Sequence, residues 1–310
     1  MDILRREDIM SLCDGHYVSG LVLMGSYAEQ PTKNNSTYLG GQLNAVGSIP
    51  FKVWQGECFN TMNTTDFSGK VCNIKATVNI YNGSRSLILQ DVLELPESQL
   101  LNLGISVTDF FEAKYDVARL YTNLYTTLEK NVSENALKVF DIFMSEANDR
   151  FIKEFAAISH HDNCFGGLVA HTTKVVKASL LVKNYPNILK RVSPDLLFLG
   201  CALHDIGKIY EYLNGVISDM GKKISHLTIG CLMLNEHKDE IVELMDEDFF
   251  YSLMSIIAQH HGEYEETPRT IAAYVINQFD CLDATLTSLN EVLGEVEDNQ
   301  QIKFDDIKLI

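Results

Sequence analysis

Residues 199–208 read Leu-Gly-Cys-Ala-Leu-His-Asp-Ile-Gly-Lys, an apolar run that ends in an adjacent histidine and aspartate. The apolar residues predict the last turns of a buried helix, and Gly207 permits the turn that follows. Successive side chains on a helix point about 100° apart, so His204 and Asp205 approach one centre from two sides. Lys208 adds a positive charge directly after them. The stretch therefore predicts a helix end that carries ligand-type side chains.

Further histidines and an aspartate lie on other predicted helices. In chain order the set is His171, His204-Asp205, His226, His260-His261 and Asp280. Side chains that converge from several helices are how a helical bundle builds a metal site. Imidazole and carboxylate ligands suit Mn, Fe, Zn or Co. A carboxylate between two ions can also help to clamp the oxygens of a phosphoryl group.

The first part of the chain, up to about residue 95, has the pattern of short strands. Four runs are rich in β-forming residues, at 17–24, 48–54, 71–80 and 86–92. Asn82-Gly83 falls between two of them and predicts a tight hairpin, because both residues tolerate positive φ. About five strands in fewer than 100 residues fit a small barrel such as the OB-fold.

Beyond Pro96 the apolar residues recur at helical spacing. The predicted helices cover residues 109–129, 133–158, 168–183, 194–204, 226–237, 248–261 and 268–293. Pro194 and Pro268 suit the first turn of a helix, and Gly262 suits a helix end. The fold class is therefore α+β and multidomain, a small N-terminal β-barrel followed by an all-α domain. We expect a barrel at 1–95, a helical linker at 96–157, the α-helical domain at 158–295 and a polar tail at 296–310.

The motifs of the helical half resemble the HD superfamily of metal-dependent phosphohydrolases. Their pattern of His, then His-Asp, then a distal Asp is matched by His171 in GGLVAHT (166–172), by His204-Asp205, and by Asp280 in FDCLDA (279–284). His226 and His260-His261 match the additional ligands of the two-metal members. Asp283 lies on the same helical face as Asp280, so periodicity does not choose between them; the resemblance favours Asp280.

The resemblance implies a divalent-metal cofactor with two ions, Mn²⁺ being favoured over Fe, Co or Mg. The implied metal ligands are His171, His204, Asp205, His226, His260, His261 and Asp280. Asp205, placed between two ions, and Lys208, facing the scissile phosphate, are the expected catalytic residues. A cation there would stabilise developing negative charge. Lys208 has an alternative interpretation as a solvent-exposed lysine past a helix end.

The strand half resembles nucleic-acid-binding OB-folds in its runs at 38–39, 49–54 and 80–83. OB surfaces stack bases on exposed aromatic rings beside a cationic groove. The expected nucleic-acid-binding residues are Tyr38, Lys52, Trp54, Tyr81, Lys174 and His161. Half or more of the aromatic residues, Phe51 being another candidate, should instead fill the barrel.

A barrel of this kind before an HD domain resembles the YhaM-type 3′→5′ exoribonucleases of Gram-positive bacteria, whose double histidine is matched by His160-His161. The resemblance implies a metal-dependent exonuclease that releases nucleoside monophosphates from single strands, with RNA favoured over DNA. Two alternatives stay open. One is an HD hydrolase of cyclic nucleotides or dNTPs with a regulatory β domain, and the other is a non-catalytic nucleic-acid-binding module.

The charge is uneven along the chain. The net charge is −17 overall, but residues 1–95 hold 7 Lys and Arg against 9 Asp and Glu, so nearly all the acidity lies beyond them. The seven cysteines form no C-x-x-C pair, which favours buried free thiols in a reducing compartment. Without a membrane-length apolar run or a signal-peptide pattern, we expect a cytoplasmic protein that contacts no membrane. Homo-oligomerisation is left open.

Overall fold

The computed structural model describes residues 2–32, 36–112, 114–157, 164–262, 266–294, 302–304 and 307–309. The chain divides into two compact units. One comprises Met1–Ala113 with Leu213–Val216, and the other Lys114–Tyr212 with Ile217–Ile310. The four-part division expected from the sequence has different bounds and stays a prediction.

The first unit is built on a closed five-stranded barrel. Its strands are β1 (Tyr17–Pro31), β2 (Thr37–Asn44), β3 (Ser48–Val53), β4 (Val71–Tyr81) and β5 (Ser84–Glu94). They follow the order β1-β2-β3-β5-β4 around the barrel. All neighbours are antiparallel except β3 and β5, where Phe51 pairs with Leu87 in parallel. The predicted small barrel is thus confirmed.

The turn between β4 and β5 has the predicted chemistry. Tyr81 pairs with Ser84, so Asn82 and Gly83 alone make the connection. Their φ angles are 49° and 81°, the left-handed values that this short turn requires. The hairpin thereby sets the register of the longest strand pair in the barrel.

Alternation along the strands decides which side chains fill the barrel. Leu39 on β2 and Phe51 and Val53 on β3 point inward and are buried. Between β1 and β2 the register shifts between Met24 and Tyr27. At this bulge a Cβ on Gly41 would lie 2.5 Å from the Ser26 carbonyl oxygen, so only glycine fits.

The described residues of this unit also form three helices and a 3₁₀ turn. They are α1 (Arg6–Ser11), α2 (Glu57–Thr64), α3 (Glu97–Leu103) and the 3₁₀ turn Val107–Phe110. Ile9 of α1 and Phe59 and Met62 of α2 join the barrel core. A second, smaller apolar cluster includes Leu100 and the fully buried Phe110.

The second unit is helical. Its elements are α4 (Val117–Glu129), α5 (Glu134–Lys153), α6 (Gly167–Ser179), a 3₁₀ turn (Leu180–Asn184), α7 (Pro186–Leu189), α8 (Pro194–Leu203), α9 (Lys208–Glu211), α10 (His226–Glu236), α11 (Lys238–Leu244), α12 (Glu247–Gln259) and α13 (Ile271–Gly294). After α9 the chain forms a short hairpin of β6 (Tyr212–Leu213) and β7 (Val216–Ile217), of which Leu213–Val216 are assigned to the first unit. The predicted all-α domain is confirmed in its main helices.

Helix α8 lies at the centre of this unit. Residues Leu197–Leu203 are all buried, as expected for a helix that is apolar on every side. Its start matches the sequence prediction, since Pro194 occupies the first turn and the Ser193 hydroxyl accepts from the Leu196 N–H at 3.1 Å. Helices α6, α12 and α13 pack around it. The end of α8 is thereby held at the middle of the unit.

Several sequence predictions were wrong in detail. Helix α13 begins at Ile271 rather than Pro268, and Thr270 caps it by accepting from the Ala273 N–H. The predicted helix at 109–129 is a 3₁₀ turn followed by α4. Within the polar tail, which stays a prediction, the described residues form two paired strands, β8 (Ile302–Phe304) and β9 (Ile307–Leu309). Cys13 and Cys281 are exposed, so not every free thiol is buried.

None of the described helices combines the length and the apolar character that a membrane span requires.

Candidate metal centre

Helix ends and helix centres of the second unit bring the ligand-type residues together. His204 follows the last residue of α8, His226 opens α10, and His260 follows α12. His171 and Asp280 lie within α6 and α13. Gly262, at φ +63°, ends the α12 segment directly after the double histidine. Five helices, α6, α8, α10, α12 and α13, therefore supply the ligand-type residues.

The seven predicted metal ligands form two groups. The first holds His171, His204 and Asp280, and the second holds Asp205, His226, His260 and His261; within each group the ligand atoms lie within 4.8 Å of one another. In the first group, Nε2 of His171 lies 3.2 Å from Nε2 of His204 and 3.2 Å from Oδ1 of Asp280. The structure thus brings together every residue that the sequence proposed as a ligand.

Asp205 lies between the two groups. Its Oδ2 is 3.4 Å from Nε2 of His204 and 3.5 Å from Nε2 of His171. Its Oδ1 is 3.5 Å from Nε2 of His226 and 3.4 Å from Nε2 of His260. One carboxylate therefore presents one oxygen to each group, as the predicted bridging role requires.

Hydrogen bonds at Nδ1 determine which nitrogen each ring offers. Nδ1 of His204 lies 2.9 Å from the Cys201 carbonyl, and Nδ1 of His260 lies 3.1 Å from the Ile257 carbonyl. A carbonyl only accepts, so both rings carry their proton on Nδ1 and present Nε2. Nδ1 of His171 meets the carboxylate of Asp283 at 2.8 Å. Through this bond Asp283 orients the imidazole ring of His171.

The donor set fits a divalent cation. Asp205 Oδ1 and His260 Nε2 are buried and lack a hydrogen-bond partner among the described residues. Buried polar atoms are seldom left without a partner, and these two, 3.4 Å apart, are suited to share a cation. Five histidines and two aspartates in the same space have the chemistry that transition-metal ions prefer.

The electrostatics of the first group also favour a cation. Burial lowers the pKa of His171, but the carboxylates of Asp280 and Asp283 outweigh it and raise that pKa to about 10. Burial lowers the pKa of His204 to about 3 against the opposing field of Asp205. Burial opposes ionisation of Asp205, yet Lys208 and His204 hold its pKa well below the usual range. The field that retains a proton on His171 would equally attract a metal ion.

The two predicted lysines of this unit are both paired with acids. Lys208 is largely buried and places Nζ 2.7 Å from Oδ2 of Asp205, so its positive charge lies at the junction of the two groups. Lys174 donates to Thr287 at 2.7 Å and lies 3.3 Å from Oδ2 of Asp283. The predicted role of Lys174 in binding nucleic acid stays a prediction, and its observed contacts are with α13.

One residue close to the ligands was missed by the sequence reasoning. Glu211, at the end of α9, places Oε2 2.9 Å from Nδ1 of His226. The available signal was an acid three residues after Lys208, but nothing in the sequence relates that position to His226. Only the fold brings the two together.

On the barrel, three predicted nucleic-acid-binding residues lie close together. The rings of Tyr38 and Trp54 have centroids 5.1 Å apart, and Nζ of Lys52 lies 5.6 Å from the centroid of Tyr38. Trp54 is 47% exposed, and Tyr81, beside the hairpin turn, is 67% exposed. Phe51 belongs to the core instead. His161 lies outside the described residues.

A groove of about 460 Å³ borders this cluster, with Gln30, Tyr38, Gly40, Gly41, Pro50 and Lys52 among its lining residues. The Tyr38 hydroxyl donates to Oε1 of Gln30 at 2.6 Å, which holds the ring in place. Lys70 and Lys75, two other basic residues of the barrel, pair with Glu94 and Asp91. The accessible positive charge of this groove therefore comes from Lys52.

Residues 168–285 match the family model described as HD domain. A helical HD domain with these converging histidines and aspartates defines the class of the protein, which is a metal-dependent phosphodiesterase. The chain is similar over nearly its whole length to proteins named 3′-5′ exoribonuclease YhaM. The protein from Listeria monocytogenes serotype 4b (strain CLIP80459) is 23% identical, with 90% of this chain and 88% of the relative covered.

Two further relatives carry the same name. The Oceanobacillus iheyensis protein is 26% identical, covering 91% of this chain and 89% of the relative. The Bacillus subtilis (strain 168) protein is 22% identical, covering 91% and 90%. Among solved structures, the mitochondrial single-stranded DNA binding protein Rim1 from S. cerevisiae matches 26% of this chain and 97% of its own, at 20% identity and a TM-score of 0.24. The barrel assignment therefore depends on the strand topology.

Proposed function

We propose that this protein is a nuclease that degrades single-stranded nucleic acid from the 3′ end, with RNA favoured over DNA, and releases nucleoside monophosphates. The observation that carries the proposal is Asp205, whose two oxygens face two groups of ligand-type residues. Similarity to proteins named 3′-5′ exoribonuclease over nine-tenths of the chain supports the polarity and the RNA substrate.

His171, His204, Asp205 and Asp280 would hold one divalent ion, and His226, His260 and His261 would hold a second that shares Asp205. Mn²⁺ is the proposed ion. When bound, such ions supply Lewis acidity toward the phosphate and lower the pKa of water. The carbonyl and carboxylate partners of the Nδ1 atoms keep the Nε2 atoms directed at the site. Lys208 would place its charge near the phosphate, where it stabilises the developing negative charge.

The barrel face would bind the strand. Tyr38 and Trp54 form a pair of partly exposed rings on which bases can stack, and Lys52 supplies a cation for the backbone. Gly40 lines the same groove as Tyr38 and Lys52 and adds no side chain to it. Tyr81 is proposed as a further stacking residue because of its exposure. The cytoplasmic location and self-association of the chain stay predictions.

The proposal is tested by incubating wild type and Asp205→Ala with 3′- and 5′-labelled RNA and DNA in the presence of Mn²⁺. We expect wild type to shorten RNA from its 3′ end and to release nucleoside monophosphates. Asp205→Ala should lose hydrolysis by more than about 10³-fold, since it removes a group shared by both proposed ions. Equal activity of the two proteins would overturn the site assignment. Hydrolysis of cyclic nucleotides or dNTPs without any action on oligomers would overturn the substrate.

A further inference from the structure

The Nδ1 atoms of four ligand-type histidines have two kinds of partner. His204 and His260 are held by backbone carbonyls of their own helices, three residues earlier. His171 and His226 are held by carboxylates from other elements, Asp283 and Glu211. Each group of ligands therefore contains a histidine that is oriented by a carboxylate. Glu211 therefore has the same contact with His226 of the second group that Asp283 has with His171 of the first group.

Glu211 makes two bonds to the same residue. Oε2 lies 2.9 Å from Nδ1 of His226, and Oε1 accepts from the His226 backbone N–H at 2.8 Å. The second bond satisfies the first N–H of α10, which has no partner within the helix; Ser225 occupies the cap position but makes no side-chain cap bond. One carboxylate thus fixes both the ring of His226 and the helix end that carries it.

The position of Glu211 is itself constrained. Its backbone carbonyl accepts from the Ser218 N–H at 2.9 Å. A Cβ on Gly221 would clash with that same carbonyl at 2.3 Å, so the chain packs tightly against it. The Glu211 side chain is only 12% exposed. Water therefore competes weakly for the two bonds, and the carboxylate has little freedom to move away.

We propose that Glu211 is the positioning residue of the second metal group, and that divalent-cation binding there depends on it as binding in the first group depends on Asp283. A carboxylate at Nδ1 keeps the proton on that nitrogen and makes Nε2 a better ligand; loss of such a partner typically costs about 10- to 100-fold in metal affinity. The inference rests on the proposed function, because it requires that the group of His226 binds a metal. Glu211 acts through His226 and is not itself a ligand.

The test compares Mn²⁺ binding to the full chain without substrate, measured by electron paramagnetic resonance of the free ion. Glu211→Gln keeps the size of the side chain but offers one acceptor oxygen for two N–H donors. We expect two ions on wild type, with one of them bound about 10- to 100-fold more weakly by Glu211→Gln. Asp283→Asn is the matched variant and should weaken the other ion. The double variant should weaken both.

A second variant separates positioning of the ring from capping of the helix. Ser225→Asn keeps a neutral cap residue at the start of α10 but replaces the unbonded Ser225 hydroxyl by a longer acceptor for the N–H groups of the first turn. If Glu211 only caps the helix, Glu211→Gln/Ser225→Asn should recover Mn²⁺ affinity, and that result would overturn the proposal. If Glu211 positions the ring, affinity stays low while the thermal stability of the metal-free protein recovers.

The tautomer of His226 gives a readout that a purely structural role would not change. In metal-free protein with ¹⁵N-labelled histidine, long-range ¹H–¹⁵N spectra should show the proton of His226 on Nδ1 in wild type, and on Nε2 in part of the Glu211→Gln molecules. Two ions bound by wild type with no change in Glu211→Gln would overturn this inference alone. Fewer than two ions on wild type would overturn the two-ion assignment together with it.

Discussion

Most ligand-type side chains of the metal centre are buried, and four of its histidines are held by individual hydrogen bonds. The aromatic side chains Tyr38 and Trp54 on the barrel face are instead partly exposed and contact each other. His204 is fully buried with its Nδ1 bonded to a carbonyl, while Trp54 is 47% exposed and lies against Tyr38. Cation binding needs fixed atoms, because the ligand positions must hold to within fractions of an ångström. Stacking on a ring tolerates different bases and small movements. The comparison indicates that chemistry and substrate binding can be disrupted separately.

Metal removal is the largest expected effect. After chelation, hydrolysis of RNA should fall by more than about 10³-fold, because the Lewis acid is lost while the barrel face is untouched. Binding of a labelled oligonucleotide, followed by fluorescence polarisation, should persist. Added Mn²⁺ should restore turnover. Hydrolysis that survives exhaustive chelation would contradict the metal centre.

Phe51→Ala should destabilise the barrel. Phe51 is fully buried, so its truncation should cost about 3–5 kcal/mol of unfolding free energy. Urea unfolding of the full chain measures this loss. Lys52→Ala, on the opposite face of the same strand, is the control and should change stability by no more than about 0.5 kcal/mol. A small phosphodiester that needs no barrel should still be hydrolysed by Phe51→Ala; loss of that activity would show that the two regions are not separable.

Lys208→Ala should lower kcat. Its Nζ lies 2.7 Å from Asp205, and loss of one group that stabilises transition-state charge costs about 10²- to 10³-fold in kcat. Lys174→Ala is the matched variant, a lysine that also pairs with an acid but lies against α13. Its effect on kcat should be below about tenfold. Steady-state kinetics at saturating RNA distinguish the two. Equal losses of kcat in the two variants would contradict a role of Lys208 in stabilising the transition state.

Trp54→Ala should weaken binding of single strands and leave kcat at saturation unchanged. Loss of one stacking ring costs about 1–3 kcal/mol per base, and exposure of the side chain makes a large loss of stability unexpected. Trp54→Phe should retain most of the affinity, since a flat ring remains. Polarisation titrations with oligonucleotides measure both. An unchanged dissociation constant for Trp54→Ala would exclude this face as the binding surface.

Much of the fold and of the candidate site could be predicted because local signals were strong. The Asn82-Gly83 turn has one favoured geometry, and the structure shows it. The ligand-type residues stand at recognisable places along the chain, and all seven converge. The start of α13 was misplaced at Pro268, because Pro268 and Thr270 are both acceptable near a helix start. Packing and the cap bond at Thr270 choose between them.

Other features could not be predicted from the order of the residues along the chain. Phe51 and Trp54 belong to one aromatic run, yet one fills the barrel and the other is exposed, since the strand register decides which side each faces. Glu211 precedes His226 by 15 residues, and its role depends on an intervening hairpin that returns the chain. Periodicity placed Asp280 and Asp283 on one face; the observed distances assign Asp280 to the ligand group and Asp283 to Nδ1 of His171.

The sequence by itself determined the types of group available: a barrel with aromatic residues, a helical domain, and histidines and aspartates on separate helices. Only the tertiary structure decided that Asp205 divides its oxygens between two groups, and that Asp283 and Glu211 orient one histidine in each. The physical reason is the separation along the chain of the residues that interact. Turns, caps and periodicity depend on neighbours a few residues away, whereas orientation at a ligand atom depends on contacts between residues far apart in the chain.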